Sequence, residues 1–240
     1  MSREDNIFMA KICEQTERFE DMVSYMKSVA TSGESLSIEE RNLLSVAYKN
    51  AIGPHRTAWR ALTSIETKEE AKASKQLPLL KDYKSKIEGE LNKFCKDIIM
   101  VLDDHLIKGA DDNESKVFYL KMKGDYHRYI AEYASGEQHD TAQKSALSAY
   151  DDATNIAGEH LKTTHPIRLG LALNSSVFHY EVMNDPTKAC QLAKAAFDEA
   201  IADIEQLDDD VYKDATTIMQ LIRDNLTLWT SELEQDDNDA

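Results

Sequence analysis

Glycine, proline and cysteine are all scarce in this chain. Its 240 residues hold 8 Gly, 4 Pro and 3 Cys. Gly and Pro together account for 12 residues, or 5% of the chain, against about 12% in ordinary globular sequences. Sandwiches and barrels use these residues at every chain reversal, so their scarcity disfavours such folds and favours long helices. Cys13, Cys95 and Cys190 are odd in number and lie 82 and 95 residues apart. That excludes a disulfide framework and a short-range zinc pair, and points to a reducing, cytosolic-type compartment. The longest apolar runs, 98–102 and 169–173, fall far short of the roughly 20 residues that span a bilayer. The opening Met1-Ser2-Arg3-Glu4-Asp5 has none of the apolar core of a signal peptide. The expectation is a soluble, cytoplasmic chain, with the nucleus a second location open to it.

Positive charge is also in deficit. Lys and Arg number 28 against 44 Asp and Glu, a formal net charge of −16. Such a field repels phosphate backbones and anionic lipids, so neither nucleic acid nor a membrane is an expected partner. Any anion that binds needs a local exception.

What the chain does have is apolar periodicity. Hydrophobic residues make up 42% of the sequence, enough for a sizeable core. They recur at spacings of three and four, as in Val211, Ala215, Ile218, Ile222 and Trp229, with the polar Asn225 on the same stripe, and nowhere alternate as in a half-buried strand. Turn signals at 31–33, 109–113, 135–136, 163–166, 184–186 and 208–210 divide the chain into segments of helical length. Ser37-Ile38-Glu39-Glu40 reads as a capping box, and Asp185-Pro186 as an N-cap followed by Pro in the first turn. About nine helices are predicted, over 3–17, 19–31, 38–68, 75–107, 114–134, 138–161, 167–183, 187–205 and 211–232. The fold class is all-α. No helical repeat of about 34 residues is evident. The segment from Glu232 to Ala240 holds five acids and no base, so residues 1–232 are expected to form one domain and 233–240 a disordered acidic tail.

Enzyme constellations are missing. None of the seven histidines has Glu three positions before it, and there is no His-Glu-x-x-His, no Gly-rich phosphate loop and no Gly-x-Ser-x-Gly elbow. Asp103-Asp104-His105 offers metal-ligand types, but neighbouring helical positions diverge by about 100° and do not converge on one ion. It reads as a polar helix end, and no metal or cofactor is expected.

The local exception lies between Glu40 and Glu66, 25 residues without an acid. Lys49, Arg56 and Arg60, separated by seven and four, fall within about 40° of one another around a helix axis. Three cations without an intrahelical acid repel one another. Either acids of a neighbouring helix or an outside anion stabilises them, and both readings stand on spacing alone. A second basic stretch, 121–129, places Arg128 three residues after Asp125 and four before Glu132, spacings that suit surface pairing. Asn174 and Asn225 sit beside apolar helix positions, where an amide serves as a packing residue or as donor and acceptor to an extended backbone.

Four blocks of the chain are familiar as they stand. They are Arg41-Asn42-Leu43-Leu44-Ser45-Val46-Ala47-Tyr48-Lys49-Asn50, the stretch Ser115-Lys116-Val117-Phe118-Tyr119-Leu120-Lys121-Met122-Lys123-Gly124-Asp125-Tyr126, the stretch Thr164-His165-Pro166-Ile167-Arg168-Leu169-Gly170-Leu171-Ala172-Leu173-Asn174, and Tyr212-Lys213-Asp214 with Met219-Gln220-Leu221-Ile222-Arg223-Asp224-Asn225-Leu226-Thr227-Leu228-Trp229. In this order they resemble the signature segments of the 14-3-3 family, over about residues 3–232. The resemblance implies a non-enzymatic, dimeric adaptor of nine antiparallel helices. Its cup-shaped protomer would hold phosphoserine or phosphothreonine segments of client proteins in an amphipathic groove. It matches Lys49, Arg56, Arg128 and Tyr129 to the phosphate pocket, with Arg60, Asp125 and Glu132 orienting it. Leu173, Asn174, Val177, Glu181, Ile218, Leu221, Asn225 and Trp229 match the peptide groove, the two Asn as main-chain ligands and Glu181 and Trp229 as flanking contacts.

The dimer surface implied by the resemblance comprises Ile12 and Thr16 against Ala58, Leu62 and Tyr83, with Arg18 and Asp21 meeting Glu90 and Lys86 across it. A homodimer follows, and a heterodimer with a sister isoform stays open. Several positions depart from the family pattern. Pro54 stands for Ala and is expected to kink or widen its helix, since a mid-helix Pro costs about 3 kcal/mol. His55 stands for Arg, Ala58 for a phosphorylatable Ser of several members, Thr16 for Ala and Ser175 for Phe. A phosphate-independent helical scaffold or holdase chaperone is the alternative function.

Overall fold

The computed structural model describes residues 1–239, with the side chains of Gln206, Asp209 and 235–239 outside the description. Nine α-helices and no strand occur among the described residues. They group into two compact units, Met1–Ala110 and Asp111–Ala240.

The first unit holds α1 (Arg3–Gln15), α2 (Phe19–Ala30), α3 (Ile38–Ala71) and α4 (Leu77–Val101), the last continued by a π turn, Leu102–Leu106. Capping boxes start two of them: Ser2 with Asp5 opens α1, and Ser37 with Glu40 opens α3. Each satisfies amide groups that a helix start leaves without partners. Met22, Met26, Leu44, Ile52, Leu91 and Ile98 are fully buried between the helices. Arg3 closes the start of α1 onto α3 with a fork, Nε to Oε1 and Nη2 to Oε2 of Glu40, both at 2.9 Å. Asp97 on α4 pairs with Lys27 on α2 and accepts from the Tyr48 hydroxyl on α3 at 2.6 Å. α3 runs through Pro54 with no 3-10 or π turn in it, so the expected local widening is not there. The His55 ring nitrogen Nδ1 instead lies 3.0 Å from the carbonyl of Ala51, a carbonyl in the turn that Pro54 disturbs. The wide turn occurs at Leu102–Leu106, where it keeps Leu102 and Leu106 both buried.

The second unit holds α5 (Asn113–Tyr133), α6 (Gly136–His160), α7 (Pro166–Glu181), α8 (Pro186–Asp203) with a 3-10 turn Ile204–Gln206, and α9 (Asp209–Asp239). Asp112 and Asp185 cap α5 and α8 with their carboxylates, and Pro stands in the first turn of α7 and α8. Val117, Ala146, Tyr150 and Phe178 form one buried cluster, and Leu169, Ala193, Ile222 and Trp229 belong to another. α9 carries on past residue 232, to Asp239. The expected tail, 233–240, falls mostly on residues whose side chains, or whose placement altogether, lie outside the description.

Candidate functional site

The cationic stripe takes shape on α3 of the first unit. Lys49 and Arg60 are exposed and Arg56 is half-buried. Two carboxylates of α4 meet other groups of this helix: Glu88 accepts from the Trp59 indole at 2.8 Å, and Glu90 lies 3.4 Å from His55 Nε2. Glu66 ends the acid-free stretch and pairs with Lys84 at 2.6 Å and with Lys81 at 3.7 Å.

In the second unit one carboxylate organises the site. Asp125, on α5, is 6% exposed. Its Oδ1 accepts from the Tyr150 hydroxyl at 2.6 Å and from Asn174 Nδ2 at 2.9 Å, while Oδ2 accepts from Lys121 Nζ at 2.9 Å. Arg128, equally buried, donates from Nε to the Tyr150 oxygen at 3.2 Å. It also lies 3.6 Å from Asp125 and 3.8 Å from Glu132, ion pairs beyond direct hydrogen-bond range. Its guanidinium stacks over the Tyr129 ring at 4.7 Å. Burial raises the Asp125 pKa, but the charges of Lys121 and Arg128 and the bonds from Tyr150 and Lys121 outweigh it and hold the carboxyl below its ordinary value. Burial works against the Arg128 cation too, and the surrounding Tyr150, Tyr129 and Asp125 overcome it, so the guanidinium stays charged. Burial, and then the Asp125 charge, push the Tyr150 hydroxyl well above its usual range and keep it a proton donor.

Asn174 is fixed by the same carboxylate. An ionised Asp only accepts, so the amide nitrogen of Asn174 faces it and the amide oxygen is left as an acceptor. On α7 and α9 of this unit Leu173, Val177 and Ile218 are partly buried apolar residues packed on the core, and Leu221 is 49% exposed. Asn225 is half-buried, and Glu181 is exposed. Trp229, matched by the resemblance to a flanking contact, lies on α9. It is buried and stacks on Tyr180 with ring centroids 4.8 Å apart and planes 12° apart.

A family model described as "14-3-3 protein" matches residues 9–230. The chain belongs to the 14-3-3 family. A 14-3-3 protein homolog of Candida albicans is 61% identical over 230 residues, 95% of this chain and 87% of that protein. The 14-3-3 protein 2 of Solanum lycopersicum is 56% identical over 242 residues, 100% of this chain and 95% of its own length. The 14-3-3 family protein artA of Aspergillus flavus is 59% identical, with 96% of this chain and 98% of that protein covered.

The residues that the 14-3-3 resemblance ties to a dimer all lie in the first unit. Ile12 is 38% and Tyr83 54% exposed, and Ala58 and Leu62 are half-buried. Thr16 caps the end of α1 and donates its hydroxyl to the Ile12 carbonyl at 2.8 Å. Arg18 and Asp21 pair with each other at 2.5 Å, Lys86 is exposed, and Glu90 faces His55. Phe8, 63% exposed, and Leu79, 73% exposed, add apolar surface on α1 and α4 that the sequence reading did not single out. Phe8 lies four residues before Ile12, and Leu79 four before Tyr83, so each shares a helix face with a residue already named.

Sequence reasoning also missed Tyr150, Lys121 and Gly124. Lys121 carried a signal, its spacing of four before Asp125. Tyr150 carried none, because it comes from α6, 25 residues away. Gly124 is explained by Tyr150: a Cβ there would lie 2.6 Å from the ring. Among the described residues no group of three or more His, Cys, Asp or Glu could hold a metal ion, and no helix is long and apolar enough to cross a membrane.

Proposed function

We propose that this 14-3-3 chain binds segments of client proteins phosphorylated on Ser or Thr, as an adaptor without catalysis of its own. In this reading Lys49, Arg56, Arg128 and Tyr129 take the phosphate. Asn174 and Asn225 bond the client main chain, and Leu173, Val177, Ile218 and Leu221 receive its apolar side chains. The chain acts as a dimer in the cytoplasm.

The observation that supports this best is the Asp125 carboxylate. It accepts from Asn174, lies 3.6 Å from Arg128, and reaches Arg128 through the Tyr150 hydroxyl as well. One group therefore orients both a cation suited to a phosphate dianion and an amide suited to a peptide backbone. Arg offers planar, fork-like donors to phosphate oxygens, and pre-ordering that fork removes entropy cost from binding.

The test is fluorescence anisotropy with one labelled Ser-centred peptide in phosphorylated and unphosphorylated forms. The phosphorylated form should bind at least about 100-fold more tightly, which corresponds to about 2.8 kcal/mol. Equal affinities would support the scaffold or holdase reading instead.

A further inference from the structure

Between α6, α7 and α8, wholly within the second unit, lies a cavity of about 200 Å³. Its lining is mostly apolar and small: Ala157 from α6, Leu171 and Ala172 from α7, and Leu192 and Ala196 from α8. At its edge Arg168 donates to Glu199 at 2.9 Å and to the Leu161 carbonyl at 2.8 Å, and Thr163 donates to Asp203 at 2.6 Å. These polar groups are occupied with one another, and the charges of Arg168 and Glu199 cancel.

Ser175 is different. It lines the cavity from α7, is only 8% exposed, and its hydroxyl has no hydrogen-bond partner among the described residues. Its neighbour Asn174 bonds Asp125, and consecutive helix positions diverge by about 100°, so the two polar side chains face different surroundings. A hydroxyl that faces the cavity with no protein partner can bond a ligand without giving up a bond inside the protein.

The lining sets the ligand's chemistry. Apolar walls favour an apolar body, and the paired charges at the edge give no advantage to an ion; Thr154 also lines the cavity but is an exposed residue, so Ser175 is the buried residue whose hydroxyl offers a donor or acceptor there. A cavity of about 150 Å³ is enough for a benzene-sized molecule. We propose that this cavity is a binding site for a neutral, single-ring molecule carrying one hydroxyl, a phenol or a cyclic alcohol, anchored on Ser175. The site is separate from the residues assigned to phosphopeptide binding and does not depend on that assignment.

Titration of phenol into isotopically labelled full-length protein, followed by amide chemical shifts, tests it. The expected result is saturable shifts at residues 157, 172, 175 and 196, with a Kd on the order of 1 mM. Ser175→Ala should weaken phenol about fivefold to tenfold, the effect of one hydrogen bond, and leave toluene unaffected. Ser175→Phe should fill the cavity and abolish binding of both. Ala196→Leu fills it from the opposite helix and serves the same purpose if Ser175→Phe does not fold. Absence of saturable shifts at these residues, phenol affinity unchanged in Ser175→Ala, or undiminished binding in a folded filled variant would each overturn the proposal.

Discussion

Asp125 accepts three hydrogen bonds, from Tyr150, Lys121 and Asn174, and faces Arg128 as well. Asp125→Asn removes the charge without changing the shape, leaving two cations beside a neutral amide in a buried setting. Removing one partner of a buried ion pair costs about 3–5 kcal/mol, and a loss near the lower figure is expected because the Lys121 side chain is 23% exposed. Urea denaturation measures it. The same carboxyl gives a sign for pH dependence. Its folded pKa is lowered, so its contribution is complete above the unfolded value of about 3.9 and is lost as pH falls through the lower folded value. The stability difference between wild type and Asp125→Asn should therefore be the same at pH 7 and pH 5 and shrink only below about pH 4. A difference that halves between pH 7 and pH 5 would contradict the lowered pKa.

At the scale of the helix, Gly124 lets α5 and α6 approach closely enough for Tyr150 to reach Asp125 and Arg128. Tyr150 is 1% exposed and has nowhere to move. Gly124→Ala should cost about 1–3 kcal/mol by overpacking and weaken phosphopeptide binding. Unchanged stability and affinity, measured by denaturation and anisotropy, would remove Tyr150 from the account. Helix starts were legible in the sequence because caps are local: Ser37 with Glu40 and Asp185 with Pro186 stand where the spacing placed them. Helix ends were less so. The sequence reading carried α1 to residue 17, but the helix stops at Gln15 and Glu17 takes a left-handed φ of 55°, with the Arg18 amide closing onto the Cys13 carbonyl at 2.8 Å. Nothing marks Glu as a residue for that conformation, which Gly usually fills. The third helix differs in the opposite direction, running past its predicted end at 68 to Ala71, but its turn likewise rests on a non-Gly residue, Ala73 at φ 51°. In the candidate site, Asp125 and Arg128 were visible as neighbours on one helix. Tyr150 and Asn174 were not visible as their partners, because contacts between helices leave no periodic trace in sequence.

Across the whole molecule, a net charge of −16 makes a cationic cluster selective, since long-range repulsion disfavours anions that lack a matching local site. The exposed apolar residues Phe8 and Ile12 on α1 and Leu79 and Tyr83 on α4 are apolar surface that association would cover, and apolar burial rather than rim charges would hold the dimer. Light scattering at micromolar concentration should give the mass of two 27.2 kDa chains, and Ile12→Asp with Tyr83→Asp should reduce it to one. A wild-type monomer would contradict the dimer. The central claim is that these buried and half-buried arginines recognise phosphate. Isothermal titration of one phosphoserine peptide into wild type, Arg56→Glu and Arg128→Glu tests it most directly, with circular dichroism confirming equal helicity. Each reversal sets a carboxylate against a dianion, and each should cost more than about 2 kcal/mol, at least 30-fold in affinity. Near-normal affinity in either folded variant would contradict the account.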